Sequence, residues 1–131
     1  MLKEWLAVAL GGMLGSLARY ALMRAFLLIG AAWLPIATLS ANLLGCLAMG
    51  WLAQWSLFHE HNNHWLVVGA RVGLLGGLTT FSSFALDTFR MWHSGRAGMS
   101  VLLALTHVSC GILALLIGMS LAKQPPDEFL H

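Results

Sequence analysis

A few charged residues divide this sequence into long uncharged stretches. Residues 25–58 and 97–122, which are 34 and 26 residues long, contain no Asp, Glu, Lys or Arg. Only 9% of the 131 residues are charged and 59% are hydrophobic, whereas a typical soluble domain is about 25% charged. This balance excludes an ordinary soluble protein and a disordered chain, and the net charge of +2 is too small for a nucleic-acid-binding surface. The sequence therefore predicts an all-α integral membrane protein.

The uncharged stretches are long enough for four membrane-spanning helices, because one such helix needs about 20 residues. The positions of the charges, with Gly30 and Pro35 marking a turn in the longest stretch, predict helices near residues 4–28, 34–57, 65–91 and 97–122. A polar loop is expected at residues 60–64 and a polar tail after residue 122, all within one domain over residues 1–131. A cleaved signal peptide is the rival interpretation of the first segment, but Arg19 interrupts its apolar run.

The positive charges give almost no signal for orientation. With four helices, both termini lie on one side of the membrane, and the two sides are compared by their Lys and Arg residues. One side has Lys3, Arg71 and Lys123, and the other has Arg19, Arg24, Arg90 and Arg96. This balance leaves two hypotheses open: a weak signal for one orientation, or insertion in both orientations as an antiparallel homodimer. Four helices are also too few to enclose a wide pore, so transport would require an oligomer.

Polar residues at membrane depth are costly and usually face the protein interior or a water-filled path. Arg19 in the first helix either extends towards the interface or holds an anion or a carbonyl group. Asn42 in the second helix has an amide that can donate to an anion without carrying a formal charge, or can bond to a neighbouring helix. His107 is alone in an uncharged stretch of the fourth helix, and the same two alternatives apply to it.

The third helix contains the sequence Gly-Leu-Leu-Gly-Gly-Leu-Thr-Thr-Phe-Ser-Ser-Phe at residues 73–84. Glycine disfavours helix, and Ser and Thr hydroxyls offer the backbone other partners, so a break is predicted near residues 76–80. Carbonyl groups in such a break could coordinate a sodium ion, or could be satisfied internally. Phe81 and Phe84 share one helix face and are either core residues or present their positive ring edges to an anion. Asp87 is expected to pair with a nearby arginine or with the end of a helix, rather than to lie at mid-membrane depth.

Three motifs together resemble the CrcB/Fluc family of fluoride channels over essentially the whole chain. They are Gly12-x-x-Gly15-Ser-x-x-Arg19-Tyr20, Asn42-Leu-x-Gly45 and Gly76-Gly-Leu-Thr-Thr-Phe81-Ser-Ser-Phe84. The third motif is the specific one, because that string is rare in unrelated proteins. The resemblance implies passive, fluoride-selective efflux that gives fluoride resistance, and a multi-pass location in the bacterial inner membrane.

The resemblance also implies an assembly and a set of site residues. Two antiparallel subunits of dual topology would form two narrow pores at their interface, with a sodium ion at the dimer centre. Backbone carbonyl groups of Gly76 and Thr79 would bind the sodium ion, and Arg19 would lie near a pore entrance. The remaining residues assigned to the fluoride pore are Asn42, Phe81, Phe84, Thr38, Ser82 and His107.

The chain departs from the family pattern in two helices. Members often have a Ser and a Glu in the third helix where this chain has Ala85 and Asp87. Members commonly have a Tyr and a Ser in the fourth helix, at positions that correspond to Leu103 and His107. The resemblance therefore does not specify how the ion passes along the fourth helix.

Two other functions are compatible with a small four-helix membrane protein. A dual-topology multidrug exporter coupled to protons needs a carboxylate deep in a helix, and Glu4 and Asp87 are the only acidic candidates. A non-transporting membrane subunit would explain the glycines but not the Thr-Thr-Phe-Ser-Ser-Phe sequence. The sequence shows no acid–base or nucleophilic constellation, so an enzyme is not predicted.

Overall fold

The structure, a computed structural model of one chain, describes residues 1–30, 35–58 and 64–122. Four helical segments in these ranges are long and apolar enough to cross a membrane: Leu2–Leu28, Ile36–Leu57, His64–His93 and Ala97–Leu121. This confirms the predicted number and approximate positions of the membrane-spanning helices, and every regular element in the described ranges is helical. The predicted tail after residue 122 and most of the predicted loop at 60–64 lie outside the described residues, but His64 already belongs to a helix.

The third segment consists of several consecutive elements rather than one regular helix. In chain order the elements of the protein are α1 (Leu2–Leu28), α2 (Ile36–Phe58), α3 (His64–Val68), a π-helix (Gly69–Leu75), α4 (Gly76–Leu78), α5 (Phe81–His93) and α6 (Ala97–Leu121). Thr79 (φ −83°, ψ 154°) and Thr80 (φ −151°, ψ 115°) have extended backbones and separate α4 from α5. We call these two residues the extended pair. Within the predicted stretch 76–80, only its last two residues therefore leave the helix.

The first helix packs along the first half of the third segment through glycine. A Cβ atom added to Gly15 would collide with the carbonyl oxygen of Leu74, and one added to Gly11 would lie 2.8 Å from the Leu74 backbone nitrogen. Gly73 lies equally close to α1, because its added Cβ would be 2.7 Å from the carbonyl oxygen of Val8. Such contact between backbones is the usual way in which membrane helices associate without a hydrophobic driving force.

The second helix packs against the last one in the same way, with a glycine of each helix facing the backbone of the other. A Cβ on Gly50 in α2 would collide with the Leu115 carbonyl oxygen, and a Cβ on Gly118 in α6 would collide with the Leu47 carbonyl oxygen. The contact between α1 and the third segment and the contact between α2 and α6 therefore each bring two backbones together. These contacts hold the third segment against α1, and α6 against α2.

A short turn joins α5 to α6 and holds their adjacent ends together. Gly95 in this turn has a φ of +77°, a left-handed conformation that glycine adopts without steric cost. Ser100, which is 2% exposed, donates from Oγ to the carbonyl oxygen of Thr88 at 2.7 Å. Because this hydroxyl is satisfied by α5, the polar group is tolerated at a buried position.

We predict that Gly118→Ala destabilises the protein, whereas Gly98→Ala does not. The added methyl group at residue 118 meets the backbone of α2, which cannot move aside, while nothing lies within 4 Å of a Cβ at Gly98. Overpacking of this kind costs about 1–3 kcal/mol. The measurement is the thermal unfolding midpoint of each purified variant in the same detergent. Equal midpoints for the two variants would contradict the close α2–α6 packing.

Candidate functional site

The extended pair faces a cavity that lies between the third segment, α2 and α6. Its volume is about 370 Å³. The polar and aromatic residues that line it are Asn42, Thr79, Thr80, Phe81, Phe84 and His107. All of these except Thr80 were assigned to a site from the sequence, although they are up to 65 positions apart in the chain. The structure thus brings five of the predicted residues to a single cavity.

The side chain of Asn42 holds the backbone of Thr80 with two hydrogen bonds. Its Nδ2 donates to the Thr80 carbonyl oxygen at 3.1 Å, and its Oδ1 accepts from the Thr80 backbone nitrogen at 2.8 Å. Of the two alternatives left open for Asn42, the structure shows the contact with a neighbouring helix. An amide nitrogen carries two hydrogens, so the Asn42 side chain keeps one further donor.

The extended pair leaves two carbonyl groups without the donors that a continuous helix would supply. In a continuous α-helix the Thr80 N–H donates to Gly76, and the Ser83 N–H donates to Thr79. Here the Thr80 N–H donates to Asn42, and the Ser83 N–H donates to the Thr80 side-chain oxygen at 3.2 Å. The carbonyl oxygens of Gly76 and Thr79 are therefore deprived of their usual helical partners.

Arg19 of α1 forms a hydrogen bond with a third carbonyl group at the same place. Its Nε donates to the carbonyl oxygen of Gly77 at 3.1 Å. The structure therefore shows the carbonyl contact that was one of the alternatives for Arg19. Arg19 and Thr38 also line a smaller neighbouring cavity of about 50 Å³, to which Thr80 and Ser83 contribute as well.

Hydroxyl groups cluster at the first turn of α5. The Thr80 Oγ1 lies 3.1 Å from the Ser82 Oγ and donates to the Ser83 Oγ at 3.2 Å. Thr80 is also the N-cap of α5, because its Oγ1 accepts from the Ser83 backbone nitrogen, a common way to satisfy a free N–H at a helix start. Ser82 is exposed and carries the hydroxyl that is most accessible from outside the chain.

Three aromatic rings follow one another along the cavity wall. The ring centroids of Phe81 and Phe84 are 5.5 Å apart at an interplanar angle of 59°. Those of Phe84 and His107 are 4.4 Å apart at 36°. The ring of Phe81 is 79% exposed, so this phenylalanine is not a core residue of the single chain. The alternative of a buried Phe pair therefore fails for Phe81.

The carboxylate of Asp87 has a different partner from the one expected. Its Oδ2 accepts a hydrogen bond from the Thr38 Oγ1 at 2.9 Å, and within the described ranges the structure gives it no arginine partner. The expectation of an Asp87–Arg pair is therefore wrong for this part of the chain. The physical reason is that Thr38 lies in the first turn of α2 beside α5, so a hydroxyl donor is already within reach of the carboxylate.

Two residues of the site were not found by sequence reasoning. Thr80 supplies its N–H, its carbonyl and its hydroxyl to the contacts described above, and Ser83 shares that hydroxyl. Threonine is one of the residues preferred at a helix N-cap, and Thr80 is the last residue of the predicted break. Together, these two signals would have identified Thr80 as the start of α5.

Comparison with known proteins identifies the group to which the chain is related. A family model described as "CrcB-like protein, Camphor Resistance (CrcB)" matches residues 6–119. A relative from Paracoccus denitrificans named "Fluoride-specific ion channel FluC" is 41% identical over 125 residues, which is 94% of this chain and 97% of the relative. Relatives of the same name from Pseudomonas fluorescens and Azotobacter vinelandii are each 41% identical over 126 residues, with 94% of this chain and 99% of the relative covered. The chain belongs to the CrcB family.

Proposed function

We propose that this protein is a fluoride-selective channel that lets fluoride leave the cell passively. The observation that carries the proposal is the cavity that joins Asn42, Phe81 and Phe84 at the extended pair, in a chain whose relatives are named fluoride-specific ion channels. Hydrogen fluoride is a neutral weak acid that crosses membranes and dissociates inside the cell. A channel then returns the anion down its electrochemical gradient and so gives fluoride resistance.

The groups in the cavity suit a small, strongly hydrated anion. A narrow pore must replace the water of the ion with its own polar groups. The free N–H of Asn42 is a neutral donor, and the phenyl rings of Phe81 and Phe84 have positive edges. The exposed hydroxyl of Ser82 lies 3.1 Å from the Thr80 Oγ1 and becomes a further donor when it rotates away from Thr80. The first turn of α5 adds backbone N–H groups without helical partners and the positive end of a helix dipole.

The smaller cavity is proposed as the approach to this path. Arg19 and Thr38 line it together, so a cation and a hydroxyl meet at one opening. The Arg19 Nε is bound to Gly77, and a guanidinium group has five N–H donors in all. Its remaining donors can attract an anion while Nε holds the backbone. Thr80 lines both cavities, so the proposed entrance lies directly beside the proposed pore.

The working unit is proposed to be an antiparallel homodimer of dual topology in the bacterial inner membrane. Phe81 is 79% exposed and Ser82 is also exposed, although both lie in the middle of a membrane-spanning segment. A polar hydroxyl group exposed to lipid is costly. A second subunit placed over these residues would enclose the cavity, and the near-equal distribution of positive charges permits insertion in both directions.

A structural sodium ion is proposed to bind where the two subunits meet. Within the described ranges there is no cluster of three His, Cys, Asp or Glu side chains, so a cation would depend on backbone oxygens. The carbonyl groups of Gly76 and Thr79 fit this role, because their helical donors are diverted to Asn42 and Thr80. Carbonyl oxygens can replace the hydration shell of a monovalent cation. The bound ion would supply positive charge that holds the two interrupted segments together.

The two alternative functions have less support. A proton-coupled exporter would use a free carboxylate, whereas Asp87 is hydrogen-bonded to Thr38 at 2.9 Å and Glu4 lies in the first turn of α1. A non-transporting subunit leaves the donors and rings of the cavity without a role. The relatives named as ion channels also favour conduction.

Fluoride conduction is tested with purified protein in liposomes loaded with potassium fluoride. When a potassium ionophore dissipates the electrical potential, we expect fluoride to leave, as recorded by a fluoride electrode. Liposomes loaded with chloride should keep their anion over the same time, because chloride is too large for the path. Release of both anions at the same rate, or of neither, would contradict the proposal.

We predict that Phe81→Ile slows fluoride efflux, and that Phe89→Ile, on the same helix, does not. Isoleucine has no positive ring edge, and one aromatic contact is worth about 0.5–1.5 kcal/mol, or up to about tenfold in rate. Phe89 is the matched control because it is also exposed (60%) but stacks on His93 outside the cavity, with centroids 5.4 Å apart. Asn42→Ala should slow efflux further, since it also releases Thr80. Wild-type rates in both site variants would refute these roles.

Dual topology is tested with single cysteines in a background that lacks Cys46 and Cys110. Leu2→Cys and Ser94→Cys place a thiol near opposite membrane surfaces, since α1 begins at residue 2 and the α5–α6 turn contains residue 94. With both orientations present, a membrane-impermeant maleimide should label about half of each variant in intact cells, in agreement with the weak charge bias. Complete labelling of one variant and none of the other would show a single orientation.

A further inference from the structure

His107 has a ring nitrogen with no partner in the described part of the chain. Its Nε2 has less than 1 Å² of exposed surface and no hydrogen bond, although the ring lines the cavity with Asn42 and Phe84. A buried polar atom without a partner costs about 1–3 kcal/mol. Because the ring borders a cavity that holds other polar groups, a small movement of the ring would bring Nε2 to a ligand in that cavity, which would satisfy it.

The other ring nitrogen determines what Nε2 can do. Nδ1 lies 3.1 Å from the carbonyl oxygen of Leu103, one turn earlier on α6. A carbonyl oxygen only accepts hydrogen bonds, so Nδ1 must carry a proton and donate it. In the neutral ring the single proton is then on Nδ1, and Nε2 presents a lone pair that repels an anion. Only the protonated ring presents an N–H group at Nε2.

We propose that His107 binds a proton and fluoride together, so that fluoride conduction in this protein depends on pH. This inference rests on the proposed fluoride channel and adds a proton requirement at one residue. A proton from water forms the Nε2–H bond, fluoride accepts a hydrogen bond from it, and the same proton returns to water when the ion leaves. Nothing is oxidised or reduced, and the added positive charge balances the negative charge of the ion.

The surroundings of the ring favour this paired state over a lone imidazolium. The ring of Phe84, whose centroid is 4.4 Å away, offers its negative face to a cation. An unbalanced charge is costly at membrane depth, and a fluoride ion beside the ring offsets part of that cost by providing the opposite charge. Because proton and anion each favour the other, fluoride binding should raise proton occupancy and acid should raise fluoride affinity.

Few other ionisable groups lie where they could bind this proton in place of His107. Cys46 of α2 lines the same cavity, and on α5 the carboxylate of Asp87 is hydrogen-bonded to Thr38. The remaining ionisable residues of α5 and α6 are Arg90, His93 and Cys110. Arg90 and His93 lie six and nine residues beyond Phe84 on α5, and Cys110 follows His107 on its own helix. His107 is thus the ionisable group that contacts Phe84 within the cavity.

The first test measures proton uptake by the purified full chain in weakly buffered detergent near neutral pH. Addition of sodium fluoride should take up protons, to a limit of one per chain, and sodium chloride should not. His107→Gln should abolish this uptake, because glutamine does not titrate. His93→Gln is the matched control, since His93 stacks on Phe89 away from the cavity, and it should behave as the wild type. Equal uptake in wild type and His107→Gln would overturn the proposal.

The second test records fluoride efflux from liposomes between about pH 5.5 and 8.5, after subtraction of the rate in protein-free liposomes. At high pH, where few His107 rings carry the second proton, wild-type efflux should decrease by up to about tenfold for each further pH unit, because one proton is required. His107→Gln, whose amide keeps an N–H donor, should conduct at a rate that does not vary with pH.

The outcomes separate this inference from the proposed function. Fluoride efflux by the wild type at a rate independent of pH would overturn the role of His107 and leave the channel intact. Absence of fluoride efflux at every pH would refute the channel itself. If His107→Gln does not fold, the wild-type proton uptake and pH profile still decide the question.

Discussion

The site depends on the pair of hydrogen bonds between Asn42 and the backbone of Thr80. Lipid supplies no partners for free backbone groups, so an extended residue at membrane depth must be satisfied by the protein. Asn42 satisfies both groups of Thr80 at once, and it does so by taking the N–H that Gly76 would otherwise receive. The same contact therefore stabilises the extended pair and leaves an acceptor beside it. Together with the N-cap that Thr80 provides for α5, this amide fixes the residue at which the third segment leaves the helix.

The membrane-spanning helices could be predicted because their cause is local. Long uncharged stretches admit few other folds, and the predicted ends agree with the observed Leu2–Leu28, Ile36–Phe58, His64–His93 and Ala97–Leu121 to within about two residues. The residue types of the cavity were also accessible from the sequence, since polar groups and paired aromatics are conspicuous among apolar neighbours. The roles of these residues in conduction remain predictions.

The contacts among those residues could not be predicted, because they depend on how helices approach one another. The π-helix at Gly69–Leu75 has no periodic signal of its own, and it is stabilised where α1 lies against it. The Thr38–Asp87 hydrogen bond joins residues 49 positions apart, so no local pattern reveals it. Similarly, the free Nε2 of His107 follows from the Leu103 carbonyl and the ring of Phe84, and neither contact is visible in composition or spacing.

The contacts of the extended pair have a consequence for the order of assembly during synthesis. Arg19 and Asn42, which bind Gly77 and Thr80, both precede the third segment in the chain. Protein chains are made from the N-terminus, so these two side chains have already left the ribosome when residues 76–80 emerge. Residues 76–80 can therefore form these hydrogen bonds as soon as they enter the membrane. Their backbone groups are then not left unpaired in lipid. Of the residues that line the cavity with Asn42, those of α6, including His107, are synthesised after all the others. They complete a cavity whose other walls are already present.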